Sequence, residues 1–280
     1  MIIWIASYPK SGNTWMRAII SSLIYSDDGL FNFSYIEKIR QFPQKKYFEE
    51  FTDKLSDINE LKKYWILAQE KINLDNKIKF LKTHHINCKI DNFAFTDKQC
   101  TKATIYIVRD PRNLVDSISN HFSKSTKEAK EFLLSTKIIS RNTGVDLKGD
   151  NIVTMVGSWK EHYRFWNNNT ENILLIKYED LLNNVSKELD RIIIFLKKFI
   201  EFNVSEKKKK NIIETTSFNF LKKLEDQGDF KENVSLKGTD KKIPFFNKGP
   251  KNIWQGKLDK EIQIEIEKKF KSELVELGYL

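Results

Sequence analysis

Apolar residues along this chain follow two rhythms. Four short runs rich in β-branched side chains, "IIWIAS" (2–7), "IKFLKT" (78–83), "ATIYIV" (103–108) and "NILLIK" (172–177), predict buried strands. Over residues 14–24, 57–73, 111–121, 127–139, 155–168, 186–199 and 259–276 apolar positions recur at three and four, the signature of helices with one buried face. Strands separated by helices argue for an α/β fold of three layers, with a central, mostly parallel sheet and helices on both faces. No repeat or low-complexity linker divides the 280 residues, so a single domain over 1–280 is expected.

Two stretches break the rhythm. Residues 25–56 are aromatic, charged and irregular, and residues 225–257 hold most of the late turn signals. Loops of that length in compact domains are commonly binding loops, so both are expected to serve substrate and cofactor. Phe31, Phe33, Tyr35, Phe42, Tyr47, Phe48 and Phe51 either wall an apolar acceptor pocket or pack the first loop itself. The run "KKKK" at 207–210 reads as a solvated helix face.

Charge narrows the partners. Forty-eight Lys and Arg against thirty-eight Asp and Glu leave a net charge of +10, which favours an anion: nucleic acid, a membrane surface or a phosphorylated small molecule. No nucleic-acid module is recognisable, so RNA or DNA binding is the weaker account. No apolar run approaches the ~18 residues of a membrane span, and Met1 leads directly into a strand pattern; a cytoplasmic protein without membrane contact is expected. Two cysteines, Cys88 and Cys100, without CxxC spacing give no support for a disulfide scaffold or a structural zinc site, and no metal is expected.

The candidate chemistry begins where the first strand stops, at "YPKSGNTW" (8–15). A helix N-terminus at the carboxyl end of a parallel strand offers free N–H groups and partial positive charge. Gly12 permits close backbone approach to an anion, Asn13 or Thr14 is placed to cap the helix, and Lys10 adds a full charge. This is a P-loop-like anion site, although the lysine precedes the glycine, opposite to the Walker order. ATP with magnesium is therefore not its natural ligand. A P-loop-type small-molecule kinase using ATP remains the alternative function.

The string resembles the first signature of the cytosolic sulfotransferases, which use 3′-phosphoadenosine 5′-phosphosulfate (PAPS), and further resemblances follow in order. "IYIVRDPRNLVDSISNHF" (105–122) is similar to the second signature. Asp110 as N-cap and Pro111 at the first helical position leave Arg109 at the strand's end, and the resemblance implies that Arg109 and Ser117 hold the 3′-phosphate. "MVGSWKEHYRFW" (155–166) and "NILLIKYEDL" (172–181) resemble the family's next helix and strand, with Tyr178 on the adenine-contacting tyrosine. "TTSF" (215–218) points to Thr216 and Phe218 beside adenine, with Trp15 on its other side. Trp159 and Trp166 read as core residues. "FFNKGPKNIWQGKL" (245–258) resembles the last signature: Lys248, Gly249 and Trp254 keep their places, whereas Asn247 replaces the usual arginine and Asn252 the second glycine. One phosphate contact is thus lost, or supplied by Lys251 or Lys257.

The implied reaction moves a sulfuryl group from PAPS to a hydroxyl or amine of a small-molecule acceptor by in-line displacement, with positioning and electrostatics doing most of the catalysis. His84 in "FLKTHHIN" (80–87) matches the family's catalytic histidine and suits a general base. Lys10 is assigned to the leaving phosphate and Lys82 to the sulfonate or leaving oxygens; no metal is required. Residues 25–56 and 225–247 are expected to shape the acceptor pocket. The acceptor itself, the role of His85 and the oligomeric state stay open.

Overall fold

The computed structural model describes residues 1–140, 152–230, 234–235 and 242–280. Its centre is a five-stranded sheet in the order Arg40–Gln41, Lys79–Thr83, Ile2–Ser7, Thr101–Val108, Ile173–Lys177, and every pairing in it is parallel. All four strands anticipated from the apolar runs are present, the first with the expected bounds and the other three with their starts shifted by one or two residues. The fifth, Arg40–Gln41, lies inside the irregular 25–56 stretch.

The strand Ile2–Ser7 is buried along its whole length because both its faces are covered. Ile2, Trp4 and Ala6 point into a core shared with Leu114, Val115, Ile118, Trp159, Tyr163 and Trp166. Ile3 and Ile5 point the other way, against Met16, Ile19, Ile20, Ile192, Ile193 and Leu196. Alternation along one strand thus builds the three layers.

Several helices differ from the periodicity reading. The reading over 127–139 ends at Leu134, because Ile138–Ser140 forms an antiparallel pair with Val153–Met155. The reading over 155–168 starts at Trp159, after Gly157 in a left-handed conformation and a capping box built by Ser158 and Glu161. The stretch 57–73 is interrupted by a 3₁₀ turn at Lys62–Tyr64, and 259–276 is split at buried Phe270. Helices Tyr178–Asn183, Glu206–Thr215 and Phe218–Asp226 were not anticipated as separate elements. The "KKKK" run lies on the second of these, with Lys207 and Lys210 exposed.

The aromatics of 25–56 pack inward. Phe42 and Phe48 join Trp4 and Phe95 in the main core, and Phe31 and Phe33 pack with Phe230 in a separate cluster. Cys88 and Cys100 are free, buried thiols whose burial pushes them up to about 11 and about 12. Among the described residues no helix is long and apolar enough to cross a membrane.

One buried guanidinium fastens the sheet's second junction. Arg112 donates from Nε and Nη2 to the Asp110 carboxylate at 3.0 and 2.7 Å, from Nη1 to Glu267 at 2.7 Å, and from Nη2 to the Tyr279 carbonyl at 2.7 Å. It also lies 4.1 Å from the Trp254 ring centroid, so the helix Pro111–Phe122, the late loop and the C-terminus meet on one side chain. Removing it leaves Asp110 buried without its partner. Arg112→Ala is expected to cost about 3–5 kcal/mol and to lower the melting midpoint by roughly 10 °C. A midpoint within about 2 °C of the parent would show that the network is dispensable.

Candidate functional site

Because the sheet is parallel, its strands deliver their following residues to one edge. Tyr8 to Gly12 follow the first strand, His84 follows Lys79–Thr83, Arg109 follows Thr101–Val108, and Tyr178 follows Ile173–Lys177. These segments line a cavity of about 440 Å³.

The loop after the first strand turns through two left-handed residues, Lys10 at φ 69° and Gly12 at φ 102°. A β-carbon on Gly12 would lie 2.7 Å from the Tyr178 ring, so both conformation and space require glycine there. Gly12 is itself the N-cap of the helix Asn13–Tyr25. The expected capping by Asn13 or Thr14 is not seen: Asn13 donates back to the Ile5 carbonyl at 3.0 Å and to Ser7 Oγ at 3.2 Å, fastening the loop to its own strand. The first N–H groups of the helix are left for a ligand.

Lys10 and Arg109 bring positive charge to this cavity. Lys10 Nζ sits 4.0 Å over the Phe245 ring. Arg109 is 5% exposed, donates to the Lys10 carbonyl at 3.1 Å and lies 4.1 Å over the Tyr178 ring. Among the described residues neither cation has a carboxylate in ion-pair contact. Burial, and then the charge of Arg109, push Lys10 down to about 7, with Glu225 opposing. Glu225 accepts the Phe245 and Phe246 N–H groups at 2.6 and 3.0 Å and so holds that segment over the cavity.

His84 donates from Nδ1 to the Ser7 carbonyl at 2.8 Å. A carbonyl only accepts, so the neutral ring keeps its lone pair on Nε2. The carbonyl of His84 in turn accepts from His162 Nε2 at 3.2 Å. Neighbouring His85 is a core residue, stacked on Phe95 at 4.1 Å and pushed down to about 3 by burial. That settles which of the two adjacent histidines faces the cavity.

Of the residues anticipated from the sequence, Lys10, Gly12, Asn13, Thr14, Trp15, Lys82, His84, Arg109, Ser117, Tyr178, Phe218, Lys248 and Gly249 line this cavity. Trp15 and Tyr178 meet edge to face at 5.7 Å, and Gly249 sits so close to Phe218 that a β-carbon would lie 2.4 Å from its ring. Two do not line it. Ser11 is buried behind the loop, and Thr216 turns its hydroxyl onto the Ile212 carbonyl at 2.7 Å, closing the helix Glu206–Thr215. Lys248 is paired with Asp116 at 2.6 Å. Asn247 and Asn252 also line the cavity, and Asn252 donates to the Asn113 carbonyl at 3.1 Å; Lys251 and Lys257 are exposed and away from it.

The first loop contributes Gln41 to the cavity and none of its aromatics, most of which take the packing alternative, so the cavity's apolar wall comes from elsewhere. Phe122, Ile139, Ile152, Phe245 and Phe246 supply it. His121 was missed: it lines the cavity and is pushed down to about 3 by burial and by the charges of Lys10 and His84. Its place at helix position Ser117 plus four is the signal that could have found it. Among the described residues no cluster of His, Cys, Asp or Glu has the makings of a metal site.

A "Sulfotransferase domain" family model matches residues 2–278. The chain is 25% identical over 266 residues to Sulfotransferase 1E1 of Bos taurus, covering 90% of this chain and 76% of that protein. It is 26% identical over 279 residues to Cytosolic sulfotransferase 7 of Arabidopsis thaliana, covering 96% and 78%. Its fold is similar to mouse sulfotransferase SULT7A1 complexed with PAP, with TM-score 0.57, 22% identity and coverage of 98% of this chain and 84% of that one. It is also similar to retinol dehydratase in complex with retinol and PAP, with TM-score 0.61, 20% identity and coverage of 98% and 81%. A match from one end of the chain to the other, on a site of this composition, leaves one conclusion: the chain belongs to the sulfotransferase family.

Proposed function

We propose that residues 1–280 act as one sulfotransferase domain that moves the sulfuryl group of PAPS to a hydroxyl or amine of a small-molecule acceptor. The products are a sulfate ester or sulfamate and 3′,5′-adenosine bisphosphate (PAP). The observation that carries this reading is the placement of Lys10 and Arg109 at one cavity with no carboxylate paired to either among the described residues. Cations removed from water need an anion opposite them, and phosphate groups meet that need. Buried polar atoms without partners on two residues that line the cavity, Arg109 Nε and Trp15 Nε1, point the same way. The solved relatives of this fold that carry PAP support the choice of nucleotide.

When bound, PAPS supplies a sulfuryl group on a phosphosulfate anhydride. Lys10 and the N–H groups at the start of the helix Asn13–Tyr25 then stabilise negative charge on the departing 5′-phosphate. Arg109 and Ser117 hold the 3′-phosphate, and Trp15, Tyr178 and Phe218 enclose the adenine. His84, oriented by the Ser7 carbonyl, takes the acceptor's proton on Nε2, while Lys82 holds the sulfonate oxygens. The neutral state of His121 keeps a further positive charge away from the imidazolium that forms on His84.

Titration calorimetry with PAP, AMP and ATP with magnesium tests the donor site. PAP is expected to bind at least tenfold tighter than AMP, about 1.4 kcal/mol for the added phosphate. Equal affinities, or a preference for ATP with magnesium, would return the kinase reading.

Lys10→Ala is expected to cut kcat by about 10²–10³, and His84→Ala by about 10²–10⁴, with circular dichroism unchanged. Parent-like turnover in either folded variant would reject that residue's role.

Lys10 also imposes a pH dependence. An anion favours its ammonium form, so binding above about pH 7 draws a proton onto the lysine. Between about pH 7 and 9, where the phosphates of PAP are already ionised, its affinity is expected to fall as pH rises. Calorimetry in buffers of different ionisation heat will then read proton uptake; an affinity flat across that window would remove Lys10 from the phosphate contacts.

A further inference from the structure

A second cavity of about 390 Å³ adjoins the first, and Gln41 and Lys82 line both. The two residues face each other across paired parallel strands, Gln41 in register with Lys82. The second cavity is strongly basic. Arg17, Arg40, Lys46 and Lys82 line it against a single carboxylate, Glu37. Arg17 is buried and donates to the Ile36 and Ile39 carbonyls at 3.1 and 3.2 Å, which fixes the turn leading to Arg40. Arg40 and Lys46 are exposed, and among the described residues neither contacts a carboxylate in an ion pair. Burial and the charge of Arg40 both hold Lys46 below the usual lysine range. Gln44 adds a buried side-chain oxygen with no hydrogen-bond partner; turned about, that amide offers two N–H donors instead.

We propose that this pocket selects the acceptor: the molecule that receives the sulfuryl group carries its own oxyanion, a carboxylate or sulfonate, seated against Arg40 and Lys46. The proposal rests on the sulfuryl-transfer reading above. Lys82, which lines both cavities, precedes His84 by two residues, so the second cavity opens beside the candidate base. Phe122, Ile139 and Phe245 give the first cavity an apolar surface on which the rest of such an acceptor can lie. A phenol that bears an oxyanion is a simple acceptor carrying both groups. A neutral acceptor would leave Arg40 and Lys46 facing each other across water, whereas an oxyanion relieves their repulsion and accepts the arginine's forked donors.

Steady-state kinetics with PAPS and two matched pairs test this: 4-hydroxyphenylacetate against its methyl ester, and 4-hydroxybenzenesulfonate against 4-hydroxybenzenesulfonamide. The anionic member of at least one pair is expected to be preferred about tenfold in kcat/KM, mainly through KM, and raising salt to about 0.5 M should shrink that preference. Arg40→Gln and Lys46→Gln should each lower the ratio, and the double variant should bring it near one. Both side chains are exposed, so melting curves should confirm an intact fold. A ratio at or below one for both pairs, or a preference that the double variant leaves in place, overturns the proposal. If none of the phenols turns over, calorimetric titration of the same pairs into the PAP complex reads the same ratio. Failure of PAP itself to bind would sink the donor assignment, whereas PAP binding without anion preference would sink only the acceptor class.

Discussion

Placing two cations at one cavity is expensive, and the rest of the structure is arranged around that expense. Lys10 and Arg109 arrive at the same place because the strands that precede them are parallel and adjacent, in register from Ile3 with Ala103 to Ser7 with Ile107. Neither is neutralised by a carboxylate among the described residues; aromatic faces, Phe245 and Tyr178, stand against them instead. Ring faces attract cations only weakly compared with an anion. The free protein therefore holds this cavity short of an anion before any ligand arrives.

That state persists because the loops cannot relax. The helix Trp159–Asn168 acts as a shelf beneath them. Trp159, His162 and Trp166, spaced to share one face, donate to the carbonyls of Arg109, His84 and His85 at 3.1, 3.2 and 2.9 Å. His162 in turn shares a hydrogen bond of 2.8 Å with the Tyr106 hydroxyl, and burial keeps its ring well below the usual histidine range. Trp159 and Trp166 read as plain core in the sequence, which is true of their burial and incomplete about their work, and His162 drew no reading at all. Their polar atoms fix the backbone that carries the His84 imidazole and the Arg109 guanidinium, rings and charges that they never need to touch.

The limits of sequence reading here have physical causes. The buried strands were legible because both faces are covered, which writes continuous apolar runs into the chain. Lys10 and Arg109 were legible because each sits where such a run ends, whereas His84 and Tyr178, which also follow run ends, were singled out by the resemblance to the family. The strand Arg40–Gln41 was not, since two polar residues at a sheet edge leave no periodic trace. The helix reading over 127–139 overran because apolar spacing continues smoothly from helix into a short strand. Thr216 was drawn into the site by its neighbours in the motif, while its hydroxyl satisfies a helix end. The aromatics of 25–56 were divided between pocket and packing, and the core took Phe42 and Phe48 because Trp4 and Phe95 offered rings to meet.

The edge of the sheet carries a consequence for handling the protein. A terminal strand presents unpaired backbone groups to which another chain can add. Here that strand is only two residues long, is followed after Phe42 by Pro43, and carries Arg40 with Lys45 and Lys46 close behind. Brevity, a missing N–H and like charge are three separate barriers to edge-to-edge association. Re-engineering this rim toward uncharged compounds would strip away the charge barrier, and solubility at high concentration, more than fold stability, is where such a redesign would first be felt.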